Sequence, residues 1–169
     1  ETGAIDYREK APMAASKDMY LDQKGEVIEG KSTGTALASG IPGTIAGIFE
    51  VHKKYGSLPM NEIVEPVIAL AEKGVIITKF QAESLNNNRE FFTKINGRNS
   101  LFSKVYKEND TIKYTALAAT LKRIAKNGRD EFYKGETAQK LVDFLAKKGG
   151  IATMEDLNSY KAKWRTPIT

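Results

Sequence analysis

The sequence predicts an α+β fold, mainly helical with a few short strands. Apolar residues recur at spacings of three and four in several stretches closed by glycine, the periodicity of helices with one buried face. Strict alternation is confined to short segments near the two ends. With 169 residues, of which 41% are hydrophobic and 28% charged, the chain can bury a core without staples. There is no cysteine and one histidine, so no disulfide framework and no zinc site are expected. No repeat, low-complexity tract or Pro/Gly/Ser linker interrupts the chain, which predicts one domain over residues 1–169.

Residues 3–10 alternate as a strand, with Ile5, Tyr7 and Glu9 on one face and Asp6, Arg8 and Lys10 on the other. An irregular stretch follows, with a turn at Asp22, Gln23, Lys24 and Gly25. Pro42 near the start and Gly56 just past the end frame a helix over 42–55 whose buried face is expected at Ile45, Ile48 and Phe49. A second helix, 59–73, points Ile63, Val67, Leu70 and Ala71 inward and stops at Gly74, with a kink or a broken turn expected at Pro66. Thr78 and Gln81 form a capping box for a third, which ends near Asn86. Leu117, Leu121 and Ile124 predict a helix over 115–126, and Ala138, Leu141, Val142 and Leu145 one over 136–148. Thr153 and Asp156 cap a last short helix through Tyr160, and residues 165–169 read as extended. With no initial methionine and a strand-like last segment, both ends are expected to be cuts from a longer chain.

The charge sum, 26 basic against 21 acidic residues or +5, raises a nucleic-acid role. The cations are spread and many sit before helix-ending glycines, where they complement the helix dipole, so none is expected. No apolar stretch is long enough to span a bilayer, and the first residues lack the order of a signal peptide. Residues 25–32, Gly-Glu-Val-Ile-Glu-Gly-Lys-Ser, satisfy the phosphate-loop pattern. That loop needs a strand before it and a helix opening at the lysine, and Gly34, Gly40 and Pro42 leave no room for one. A hairpin or loop with glycine at its turn positions is the expected reading.

Gly43 and Gly47 clear one helix face, which points to close backbone packing more than to an anion site. His52, on a charged helix end, reads as a surface residue, and Trp164 as a packing residue. Asn109, Asp110 and Thr111 fit a glycosylation sequon. Arg8 is chemically the most informative side chain, because a guanidinium grips a carboxylate through two parallel N–H bonds. From spacing alone, an ion pair with Asp6 or a neighbouring glutamate is the competing reading.

The segment Asp6-Tyr7-Arg8-Glu9-Lys10-Ala11-Pro12, followed by Asp18-Met19-Tyr20-Leu21-Asp22, resembles part of gamma-glutamyltranspeptidase. Further segments match in the family's order: 38–47, Lys54-Tyr55-Gly56, 66–74, Asp130-Glu131-Phe132-Tyr133-Lys134-Gly135 and Glu155-Asp156-Leu157-Asn158-Ser159-Tyr160. Residues 86–113 match least. The resemblance implies a piece of the four-layer αββα N-terminal nucleophile hydrolase fold, from the middle of the large subunit. It implies an enzyme that moves the gamma-glutamyl group of glutathione and related amides to water or to an amino acid through a threonine acyl-enzyme. It also implies a small-subunit partner that carries the nucleophile, no cofactor, and a periplasmic or extracellular location. Neither Thr2 nor Thr169 stands where the processed nucleophile would. Of the substrate-binding residues only Arg8 carries over, as the arginine for the glutamyl alpha-carboxylate; no catalytic residue and no metal ligand carries over. A related acylase or poly-gamma-glutamate-processing enzyme, or a non-catalytic interaction module, is the alternative.

Overall fold

The strongest local signals in the chain are its helix ends. The structure, a computed structural model, describes residues 3–168; Thr2 and Thr169 lie outside them. Helix α1, Thr44–Tyr55, stops at Gly56, and α2, Met60–Lys73, stops at Gly74, whose φ of +100° suits a residue without a Cβ. Helix α3, Lys79–Asn87, opens on the expected capping box, with the Thr78 amide donating to Gln81 at 2.8 Å and the Gln81 amide donating back to the threonine hydroxyl at 3.3 Å. Helices α4, Arg89–Asn96, and α6, Arg129–Tyr133, are short, and the five residues of α6 carry no periodicity to read. Between and after them run α5, Thr115–Asn127, α7, Glu136–Lys147, and α8, Met154–Ser159.

Strands are few and brief, as the α+β expectation has it. The strand expected over 3–10 shortens to β1, Ala4–Asp6, which pairs antiparallel with the last strand, Lys163–Arg165, in the register Ile5 to Trp164. Val75–Ile76 (β2) pairs with Thr111–Ile112 (β3), and the last strand is β4. Residues 25–32 form turns around an antiparallel bridge of Val27 to Leu21, with Gly25 and Gly30 at positive φ and no helix opening at Lys31. The phosphate-loop pattern is thus a loop here.

The chain groups into two compact units, one of residues up to Glu62 and from Arg123 onward, the other Ile63–Lys122. Both boundaries fall inside helices, α2 and α5, so no linker marks them in the sequence. The first unit's core joins Ile41, Ala46, Tyr133, Ala138, Leu157 and Tyr160. In the second, Ile77, Ala82, Tyr106 and Ile112 pack together, and Asn86 closes a reciprocal pair with the Tyr106 backbone at 2.8 and 3.0 Å.

Several expected core positions differ. In α1, Ile48 is exposed, and the buried residues are the small ones, Ala46 and Gly47, because the neighbouring chain approaches the backbone itself. In α2, Ile63, Val67 and Leu70 are exposed while Ile68 and Ala71 are buried, so the packed face is the adjacent row of the helix. Leu117 of α5 is likewise exposed, with Ala118 and Ile124 buried. The α2 backbone runs through Pro66 as one helix rather than breaking there.

One buried charge organises the α5–α6–α7 corner. Glu131 is 6% exposed and accepts from Arg123 Nε at 3.0 Å, from the Thr137 amide at 3.1 Å and hydroxyl at 2.9 Å, and from Asn127 at 3.3 Å. Burial pushes its carboxyl up, but these donors together outweigh burial and hold it below the ordinary 4.5. Asp156 behaves alike: burial raises it, while the Met13 amide and both Thr153 donors bring it below 3.8. A lowered folded-state value stabilises the fold fully above the ordinary carboxylate range and loses that contribution as pH falls through the folded value. We expect Glu131→Gln to lose about 2 kcal/mol in denaturant unfolding at neutral pH, leaving Arg123 poorly matched, and to unfold less steeply than wild type as pH drops below ~4. An unchanged midpoint at neutral pH would contradict this role.

Candidate substrate-binding cleft

After β1 the chain continues beside the loop that leads into α1. The Lys10 amide donates to the Ile41 carbonyl at 3.2 Å and the Ile41 amide donates to the Lys10 carbonyl at 2.8 Å, which locks the two segments side by side. They can lie this close because Gly43 and Gly47 present bare backbone. A Cβ on Gly43 would sit 1.9 Å from the Tyr7 carbonyl oxygen and 2.0 Å from the Tyr160 hydroxyl, and one on Gly47 would sit 2.4 Å from the Tyr7 ring. The packing reading of these glycines therefore holds.

Between the two segments lies an open cleft of about 690 Å³, lined by Asp6, Tyr7, Arg8 and Glu9 on one side and by Gly43 and Thr44 among others on the opposite side. Thr44 begins α1, so the amino end of that helix forms one wall. Arg8 lines the cleft with a side chain 83% exposed. Its Nε lies 3.3 Å from Glu9 Oε1, itself on an exposed side chain, so the competing ion-pair reading is present in a weak form. Asp6 pairs elsewhere: its Oδ2 takes Arg165 Nη2 at 2.6 Å and Nε at 3.2 Å, and its Oδ1 accepts the Arg8 amide at 3.2 Å. The Arg165 bonds first, and the Arg8 amide next, hold the Asp6 carboxyl below its usual range.

Two tyrosines support the cleft from behind. Tyr160 and Tyr133 stack with centroids 5.7 Å apart and planes 11° from parallel. The Tyr160 hydroxyl donates to the Arg8 carbonyl at 2.7 Å. The Tyr133 hydroxyl donates to the Pro42 carbonyl at 2.9 Å and accepts the Ala46 amide at 3.1 Å, which satisfies one of the unpaired donors of the first turn of α1. Arg129 lies 4.3 Å from the Tyr133 ring centroid, and its Nη2 donates to the Tyr160 carbonyl. Sequence reasoning missed both tyrosines as site residues; five-residue α6 offers no periodicity, and a buried phenol leaves no mark in a sequence. His52 is not among the cleft-lining residues and binds the Leu58 carbonyl through Nε2 at 2.7 Å. Trp164, expected to pack, is exposed, and its ring meets Lys54 Nζ at 4.6 Å and Tyr55 edge-on at 6.0 Å. Among the described residues no cluster of three or more His, Asp or Glu is placed to hold a metal.

The family model of gamma-glutamyltranspeptidase matches residues 1–169. The chain belongs to the gamma-glutamyltranspeptidase family. It is 43% identical to the glutathione hydrolase proenzyme of Pseudomonas aeruginosa over 97% of this chain and 29% of that protein. To the glutathione hydrolase proenzyme of Escherichia coli it is 42% identical over 99% of this chain and 30% of that protein. The crystal structure of Helicobacter pylori gamma-glutamyltranspeptidase superposes with a TM-score of 0.95 and 41% identity, covering 99% of this chain and 49% of that one. The fold is thus a mainly helical piece of the gamma-glutamyltranspeptidase, N-terminal nucleophile hydrolase fold, and the chain spans about 30% of the length of these curated relatives.

We expect Gly43→Ala to lower the thermal midpoint by several degrees, since the added methyl has two rigid partners and overpacking costs about 1–3 kcal/mol. A melting curve identical to wild type would show that the two cleft walls yield easily.

Proposed function

We propose that this chain is the large-subunit part of an enzyme that hydrolyses or transfers the gamma-glutamyl group of glutathione and similar amides, and that Arg8 holds the alpha-carboxylate of that group. Family membership and relatives named as glutathione hydrolase proenzymes support the activity. The observation that carries the role of Arg8 is its position: it lines an open cleft with an exposed guanidinium that has only Glu9, through Nε, as a side-chain partner among the described residues. An exposed pair of this kind contributes little, so a substrate carboxylate offering two oxygens in the guanidinium plane displaces it readily.

The reacting hydroxyl comes, in this reading, from the small subunit of the processed precursor. Its N-terminal threonine oxygen attacks the gamma-carbonyl, the hydroxyl proton passes to the threonine's own amine, and the C–N bond breaks as the amine leaves with a proton. Water or an amino acid then takes the acyl group and frees the threonine. Arg8 contributes by orientation: anchoring the alpha-carboxylate fixes which end of the donor enters and where its amide lies. A periplasmic or extracellular location, and folding of residues 1–169 as one domain, belong to the same proposal.

Two measurements test it. The isolated chain is expected to release no chromogen from a gamma-glutamyl anilide, and release by the purified chain would overturn the assignment of the nucleophile to another subunit. In the intact enzyme, Arg8→Lys is expected to raise the donor KM about 10- to 100-fold, the loss of a paired charge-assisted contact, with a smaller change in kcat. An unchanged KM would remove Arg8 from the site.

A further inference from the structure

Two side chains hold the Arg8 backbone among the described residues: Asp6 Oδ1 accepts its amide at 3.2 Å, and the Tyr160 hydroxyl, from behind the cleft, donates to its carbonyl. The tyrosine's bond to the Arg8 carbonyl is 2.7 Å, and the residue is 2% exposed, so water does not compete for that carbonyl from the tyrosine side. The ring cannot drift. It stacks on Tyr133, itself fully buried, and Lys10 Nζ sits 5.0 Å above it. The Tyr160 amide is held by the Leu157 carbonyl, and its own carbonyl by Arg129. At the same point the hydroxyl lies where a Cβ on Gly43 would be, touching the opposite wall of the cleft. Burial first, with the Asp6 and Glu9 carboxylates adding to it, pushes the phenol up, so the group remains a protonated donor through neutral pH.

We propose that Tyr160 is a positioning residue for donor recognition: its hydroxyl, braced by the Tyr133 stack, fixes the Arg8 backbone and thereby the direction in which the guanidinium enters the cleft. This rests on the reading that Arg8 binds the alpha-carboxylate. The physical need is plain. Arg8 has a long, exposed side chain whose side-chain partner among the described residues is the exposed Glu9, a weak restraint, so the position of its backbone is the main limit on where the guanidinium sits. A fixed root restricts the volume the fork explores, and restricting it before substrate arrives reduces the ordering lost on binding. Tyr133 acts on the other wall, through the Pro42 carbonyl and the Ala46 amide.

The test uses the intact, processed enzyme and two donors, a gamma-glutamyl anilide and its decarboxylated counterpart, the 4-aminobutyryl anilide. Tyr160→Phe keeps the ring and the stack and removes the bond to Arg8. The expected result is a donor KM raised about 3- to 10-fold for the glutamyl anilide, kcat within about twofold, and no change for the decarboxylated donor. In the Arg8→Lys background the same substitution should add little, because the two act through one contact. Equal losses on both donors would mark a purely structural role and overturn the proposal. So would an unchanged KM for the glutamyl donor. Where Arg8→Lys raises KM and Tyr160→Phe does not, the positioning role alone fails; where wild type does not discriminate between the donors and Arg8→Lys changes nothing, the Arg8 reading fails and takes this one with it. Should Tyr160→Phe not fold, 4-methylphenylalanine at 160 fills the space without a donor and 4-aminophenylalanine restores an N–H donor. The first is expected to raise KM and the second to return it towards wild type; equal KM values for the two would again overturn the proposal.

Discussion

Much in the first unit depends on one close approach, the passage of the Tyr7 carbonyl and the Tyr160 hydroxyl over the bare backbone of Gly43. Without a Cβ there, the segment after β1 lies against the loop before α1, Lys10 and Ile41 exchange both backbone bonds, and a cleft opens between the segments. The tyrosine stack fills the space behind it and satisfies polar backbone groups on both walls, one hydroxyl per wall. The constraint is steric and local, and the recognition chemistry inherits its geometry.

The arginines of this unit divide the electrostatic work. Arg123 serves the buried Glu131, Arg129 lies over the Tyr133 ring and binds the Tyr160 carbonyl, and Arg165 clamps Asp6 at the β1–β4 pair. Their guanidiniums are tied into the fold, with rigid partners on other elements. Arg8 differs: its partner is the next residue in the chain, and both side chains face solvent. A guanidinium left in that condition beside a cleft is suited to a guest carboxylate, because the contact it gives up is weak.

How much of this the sequence shows depends on whether a feature is local. The capping boxes at Thr78 and Thr153 and the stops at Gly56 and Gly74 are set by residues three or four apart, and the structure has them where the sequence places them. The family-like segments placed Arg8 on a chain of known kind before any geometry. By contrast, α6 is too short for periodicity, and β2 and β3 are two residues each, with the paired Ile76 and Thr111 far apart in sequence, so neither is legible by alternation. The apolar stripe of Ile63, Val67, Leu70 and Ala71 is real as a pattern, yet of these only Ala71 is buried, alongside Ile68, since periodicity gives a face only to within one neighbouring row. The tyrosine support was invisible because its partners, a carbonyl at Arg8 and one at Pro42, are backbone groups 152 and 91 residues away.

The most direct measurement is a crystal structure of the intact enzyme with a gamma-glutamyl ligand bound. The account predicts both alpha-carboxylate oxygens at about 2.7–2.9 Å from two guanidinium nitrogens of Arg8, with Glu9 displaced and the Tyr160 hydroxyl still on the Arg8 carbonyl. A ligand whose carboxylate rests on other residues, while Arg8 stays with Glu9, would contradict it.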